Sequence, residues 1–163
     1  VQVLCEFKPG LLGEAVALHG RYYAEHWGFQ TFFEAKVAHE MAEFATRCAP
    51  LDPVLFAEDE QGLSASLVLD LNDPASGSRG AHLRWFITED RCRGTGIGRR
   101  FLKRAMDHAD RHCAGRAWLT TFAGLGPARH LYESFGFDLA REQDGEAWGT
   151  RVCEQEFRRG ATL

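Results

Sequence analysis

The sequence predicts an α/β fold, a single mixed β-sheet with helices packed on both faces. Three observations carry this. Two amphipathic helical stretches follow each other in the first third of the chain. A strong strand pattern, "AHLRWFITED", runs straight into the glycine-rich "RCRGTGIGRR" and then into a helical stripe. The remaining patterns alternate, giving the order β-α-α-β-β-β-α-β-α-β-β, and such elements bury their apolar faces by stacking in layers. With 163 residues, the chain is expected to form one domain over 1–163.

Each element has its own signal. Residues 1–8 alternate Val1, Val3, Cys5 and Phe7, a strand pattern. Pro9–Gly10 marks a helix entry, and Leu12, Val16, His19–Tyr23 and Trp27 recur at helical spacing. A turn around Gly28 leads to a second helix with Phe33, Val37, Met41, Phe44 and Ala45 on one face. Val54–Ala57 and Leu63–Leu71 are β-rich runs broken by Gly62, a hairpin, and "NDPASGSRG" is a polar loop. After "AHLRWFITED", a helical stripe of Ile97, Phe101, Leu102, Ala105, Met106, Ala109 and Cys113 begins at Gly96. "RAWLTTF" is a short strand. "GPARHLYESFGF" is a short helix with Ala128, Leu131, Tyr132 and Phe135 on one side, stopped at Gly136. "GEAWGTRVCEQEF" reads as the closing strand.

Composition narrows the function. Hydrophobic residues at 45% and charged residues at 26% suit a globular protein, and a formal charge of −4 argues against direct nucleic-acid binding. Positive charge is local: Arg91, Arg93, Arg99, Arg100, Lys103 and Arg104 surround the glycine stretch. Five widely spaced cysteines with no CxxC predict reduced thiols in a cytoplasm, neither a disulfide frame nor a metal site. No apolar run reaches the ~18 residues of a membrane span. The start of the chain lacks the pattern of a signal peptide.

The glycine stretch demands an explanation, because glycine costs backbone entropy. Amides at a helix N-terminus lack intrahelical partners and carry the positive end of the helix dipole. Glycines let an anion reach them. Gly94, Thr95, Gly96, Ile97, Gly98 and Arg99, with Arg93 before them, therefore form a candidate pyrophosphate cradle; a tight strand-to-helix turn is the plainer alternative. The Lys-Ser/Thr ending of a P-loop is missing. A nicotinamide-binding turn would need an acid closing the next strand, and "RAWLTTF" has none.

Arg93-Gly94-Thr95-Gly96-Ile97-Gly98 resembles the Gln/Arg-x-x-Gly-x-Gly/Ala signature of the GNAT superfamily of acyl-CoA N-acyltransferases, and "ARHLYESFGF" resembles its short helix with a tyrosine before Gly-Phe. The similarity covers essentially the whole chain. "LRWFI", "GIGRR" and "WGTRV.EQEF" look most like members fused behind a MarR-type winged-helix regulator, which would make this chain the C-terminal part of a longer protein. The resemblance implies a mostly antiparallel central sheet, acetyl-CoA as donor and coenzyme A as product. An aromatic-lined pocket would suit a small-molecule amine as acceptor, and composition points to no membrane or nucleic-acid partner. Family members often dimerise; no stripe here marks an interface.

The resemblance also distributes roles. The strand before the glycine turn, with Trp85, Phe86 and Ile87, would lend backbone hydrogen bonds to the pantetheine arm, and this strand would splay from "AWLTTF". Ala128 would stand beside the cofactor. Tyr132 would be the general acid for the departing thiolate; on its own helix face it also reads as a packing residue. The base is open among Glu89, His82, Glu25, His26 and Asp70, and nothing in the sequence selects one; the family often uses a carboxylate on or near the central strands, which Glu89 would supply. Tyr22, Tyr23, His26, Trp27, Phe29 and Trp148 would wall the acceptor, and Arg84 would meet an acceptor carboxylate; core packing and surface solvation are the competing roles. Cys92 has no partner base and reads as a bystander, so direct attack in a ternary complex is expected. The competing function is an acyl-CoA-binding sensory module with little turnover.

Overall fold

The computed structural model describes residues 1–160. Its elements are β1 (Gln2–Leu4), α1 (Leu11–Trp27), α2 (Thr31–Arg47), β2 (Val54–Asp59), β3 (Gly62–Asp70), β4 (Ala81–Thr88), α3 (Ile97–His112), β5 (Ala117–Phe122), α4 (Gly126–Ser134), β6 (Phe137–Gly145) and β7 (Val152–Arg159). They form one seven-stranded sheet in the order β1-β2-β3-β4-β5-β7-β6. Every neighbouring pair is antiparallel except β4 and β5.

Strand alternation assigns the two faces. Leu55, Leu67, Leu69 and Leu83 point to the side covered by α3 and α4, where they meet Phe101, Leu102, Met106 and Tyr132. Val54, Phe56, Val68 and Ile87 point to the side covered by α1 and α2, against Leu18, Phe33, Met41 and Phe44. Each fully buried side chain of this size contributes roughly 1.5–3 kcal/mol.

Two boundaries differ from the sequence pattern. The first strand stops at Leu4, because Phe7 turns inward to pack on Phe44 (6.3 Å) and Phe56 (5.3 Å). The closing stretch is not continuous: Gly145 ends β6, a turn closes with Gly149 N donating to Glu146 O at 2.9 Å, and β7 starts at Val152. Trp148 therefore sits on a hairpin turn.

Candidate functional site

The sheet opens in its middle. β4 and β5 pair only at Ala81↔Ala117 and His82↔Trp118. Beyond that point the two strands part, leaving the β4 edge from Leu83 onward without a strand neighbour on that side. On its other side β4 carries a bulge. Ser66 faces Ile87 and Val68 faces Arg84, so Trp85 and Phe86 both stand opposite Leu67. Trp85 holds φ 48, strained for a bulky residue, and its carbonyl accepts from Ser66 Oγ at 2.6 Å. The extra residue puts Trp85 against Phe44 on the α2 side and Phe86 near Tyr132 on the α4 side.

After β4, a single 3₁₀ turn (Asp90–Cys92) leads into the glycine turn. Gly94 and Gly96 have φ 76 and 77, and a Cβ at either would meet nothing within 4 Å. The space above this backbone is open, and the left-handed conformation explains glycine at both positions. Thr95 N donates to Cys92 O, Ile97 N to Thr95 Oγ1, and Arg100 N to Gly96 O. The amides of Gly94, Gly96, Gly98 and Arg99 are left without a partner among the described residues. Gly98 has a different reason: its missing side chain lets α3 approach Phe86 and Thr88, each 3.4 Å from where a Cβ would sit. Arg93 pairs with Asp90 at 2.8 Å, and the Arg99 guanidinium is turned to Ser134 on α4.

The gap between β4 and β5 opens into a cavity of about 560 Å³. Among the expected residues, Tyr22, Tyr23, His26, Trp27, Arg84, Trp85, Phe86, Ile87, Arg93, Gly98, Ala128, Tyr132 and Trp148 line it. The structure thus brings α1, β4, the glycine turn, α4 and the β6–β7 turn to one place. Tyr132 packs its ring among Phe86, Phe137 and Phe157. No hydrogen bond within the described residues uses its hydroxyl, and burial, reinforced by the nearby Tyr23 phenol, raises its pKa above that of an ordinary tyrosine. Trp27 packs edge-on to Phe122 at 4.8 Å and lies over the β5–α4 turn at Gly124. His26 reaches Asp90 at 3.3 Å, which ties α1 to the 3₁₀ turn.

The expected bases separate. Glu89 is not part of the cavity wall; it pairs with Arg91 at 2.7 Å. Glu25 is exposed and also outside the wall. Asp70 is fully buried and takes two bonds from Arg47, at 2.9 and 2.6 Å. No aspartate or glutamate lines the cavity at all. His82 does line it. Its Nδ1 is 2.6 Å from Asp73 Oδ2, and its ring stacks on Trp118 at 3.6 Å. That bond holds the Asp73 carboxyl well below the usual range, while burial pulls His82 down. The opposite face of Trp118 carries the Arg79 guanidinium at 3.5 Å. Arg84 stacks on Trp85 at 4.2 Å and faces Glu40 (3.3 Å), Asp70 (3.5 Å) and Asp73 (3.6 Å). Its charge is already matched by carboxylates, so the proposed grip on an acceptor carboxylate has competition on three sides.

Residues 15–137 match the model of the acetyltransferase (GNAT) family. The chain belongs to that family. Solved structures of acetyltransferases far from it in sequence show the same fold. The ribosomal-protein-alanine N-acetyltransferase of Brucella melitensis superposes with a TM-score of 0.72 at 17% identity, covering 98% of this chain and 99% of that one. A mutant spermidine N-acetyltransferase of Vibrio cholerae gives 0.60 at 18%, covering 98% and 94%. The yncA protein of Salmonella typhimurium, solved with its cofactor acetyl-CoA, gives 0.65 at 15%, covering 96% and 91%. A search of curated proteins returns no match.

The GNAT signature therefore falls on a turn with free amides and open space above them, which suits a pyrophosphate. Among the cavity residues that sequence reasoning passed over is one titratable group. His19 lines the cavity from α1, and in the sequence it is masked by the apolar stripe to which it belongs. Among the described residues, no group of histidine, cysteine or acidic side chains could hold a metal ion, and all five cysteines are unpaired. Cys92 is buried in the α3-side core. No described helix is long and apolar enough to cross a membrane.

Proposed function

We propose that this chain is an N-acetyltransferase that moves the acetyl group of acetyl-CoA directly to a primary amine of a small molecule in a ternary complex. The observation that carries this reading is the gap between β4 and β5, which joins the glycine turn to a cavity holding a free tyrosine hydroxyl. When bound, acetyl-CoA would supply an activated thioester with a thiolate leaving group; an ordinary alkyl thiol such as cysteine has a pKa of about 8.5. The amides of Gly94, Gly96, Gly98 and Arg99 would hold its pyrophosphate, and the open β4 edge around Trp85–Ile87 its pantetheine arm.

The remaining chemistry belongs to side chains. Tyr132 keeps its proton throughout the neutral range and presents it to the leaving sulfur. The amine must lose a proton before it attacks, and we assign that base to His82 rather than Glu89. Asp73 accepts the hydrogen bond donated by Nδ1–H, leaving Nε2 as the nitrogen for the substrate, and the Asp73 charge offsets the imidazolium that forms. Arg79 and His82 sandwich Trp118, which fixes the ring. A cytoplasmic setting suits the five unpaired thiols.

The test is calorimetric titration with acetyl-CoA, followed by an amine panel monitored for free thiol. Micromolar binding with turnover is expected. Tyr132→Phe should lower kcat by ~10- to 100-fold with little change in acetyl-CoA affinity; equal turnover would return Tyr132 to a packing role. Tight binding without turnover on any amine would instead support an acyl-CoA-binding sensory module. No binding would remove the reading.

A further inference from the structure

A histidine in the wall of the cavity carries a polar atom with nothing to bond. His19 is 97% buried, at 3% relative exposure. Its Nδ1 lies 2.8 Å from the carbonyl of Ala15, one helical turn back. A carbonyl only accepts, so Nδ1 carries the proton and Nε2 is a lone-pair acceptor. That Nε2 is buried and has no partner. Native interiors rarely leave such an atom unmet, and each exception calls for a reason. The only other such atom among the described side chains is Nε2 of His108, which is not part of the cavity wall.

His19 is part of that wall. Around it the cavity is aromatic and aliphatic: the Tyr23 ring stacks at 6.5 Å, and Phe33, Val37, Trp85 and Ile87 contribute further apolar surface. An occupant of this end must be largely apolar. It must also bring one donor to Nε2. A carboxylate there would set two acceptors against each other.

We propose that His19 is a specificity-determining residue, and that the acceptor is an arylalkylamine carrying a hydroxyl or N–H on its ring, whose hydrogen is donated to His19 Nε2. The proposal rests on the reading of this cavity as the acceptor site of an acyltransferase. A site built around a hydrogen bond rejects the analogue lacking the donor, because its own polar atom is then left buried and unpaired.

Tyramine and phenethylamine, which differ by one phenolic hydroxyl, are the probes. Binding of each is followed through quenching of tryptophan fluorescence, since Trp27, Trp85 and Trp148 line the cavity, and acetylation is followed in parallel. Wild type should bind tyramine about 10- to 100-fold more tightly than phenethylamine. His19→Phe keeps an aromatic ring beside Tyr23 but removes the acceptor, and it should level the pair. His19→Gln, which retains an acceptor, should restore part of the preference and serves if the phenylalanine variant misfolds. Equal binding of the two amines to wild type, no binding of either, or an unchanged preference in a folded His19→Phe would each overturn the proposal. Selective binding without acetylation would sustain it and instead count against the transferase reading.

Discussion

His19 should make this fold acid-sensitive by a calculable amount. Burial pushes its pKa down from 6.5 to about 4. The folded state therefore refuses a proton that the unfolded chain accepts. Above about pH 6.5 neither state is protonated and His19 contributes no pH dependence. As pH falls below that value the unfolded chain gains protons and stability drops, until the folded histidine titrates near pH 4. The interval of roughly 2.5 pH units, at about 1.4 kcal/mol each, makes the full loss ~3 kcal/mol, of which ~2 kcal/mol is gone by pH 5. Urea unfolding of wild type and His19→Gln at pH 7.5 and at pH 5 reads this directly. His82 and His108, also held low by burial, contribute in both proteins and cancel in the difference. Wild type should lose about 2 kcal/mol more than the variant over that interval. Parallel losses would mean that His19 is solvated or already paired, and the orphaned Nε2 would cease to be an argument.

Three further outcomes are expected. Gly96→Asn and Gly96→Asp both fit a left-handed position with open space above it, but only the aspartate puts a charge on the amides. At about 5 Å, one unit charge acting on another through an effective dielectric constant of 20–80 is worth ~0.8–3 kcal/mol, so the aspartate should weaken acetyl-CoA binding about 4- to 200-fold relative to asparagine, less at high salt; equal affinities would take the pyrophosphate away from this turn. Asp73→Asn removes a charge that raises the His82 pKa, so the acid limb of kcat against pH should move to lower pH while the maximum falls ~10-fold; an unmoved limb would free His82 of the base role. Gly124→Ala would place a Cβ 2.4 Å from Trp27 Cη2 at φ +106 and should cost about 1–3 kcal/mol in urea unfolding while changing tryptophan emission; an unperturbed variant would show that Trp27 is not held over the cavity.

The elements of the proposed donor half were legible in the sequence because their signals are local. Glycines at 94, 96 and 98, the α3 stripe and the tyrosine of α4 lie at spacings set by one turn and two helices. The acceptor half was harder to read. His82 is set apart from the other candidate bases only by Asp73, nine residues away on a loop, and by Trp118 on the next strand. Glu89 is drawn out of the site by Arg91, a neighbour whose sign was visible but whose direction was not. His19 sits in an apolar helical stripe, where a histidine reads as a filler. β6 was placed in the element order but had no readable pattern of its own: apart from Phe137 its residues are largely exposed, with polar groups on both faces, so the period-two signal is missing. Charges along such an edge strand guard it against pairing with other chains.

The open edge of β4 divides the molecule's evolutionary freedom unevenly. Grip on the donor would come from main-chain N–H and C=O groups, which every residue carries, so most substitutions along Leu83–Ile87 would leave it in place. Grip on the acceptor would come from particular side chains of α1, α2 and the β6–β7 turn. One half of the proposed active site would thereby be buffered against mutation while the other is exposed to it. A lineage built this way can trade one amine for another many times without relearning how to hold the acyl carrier.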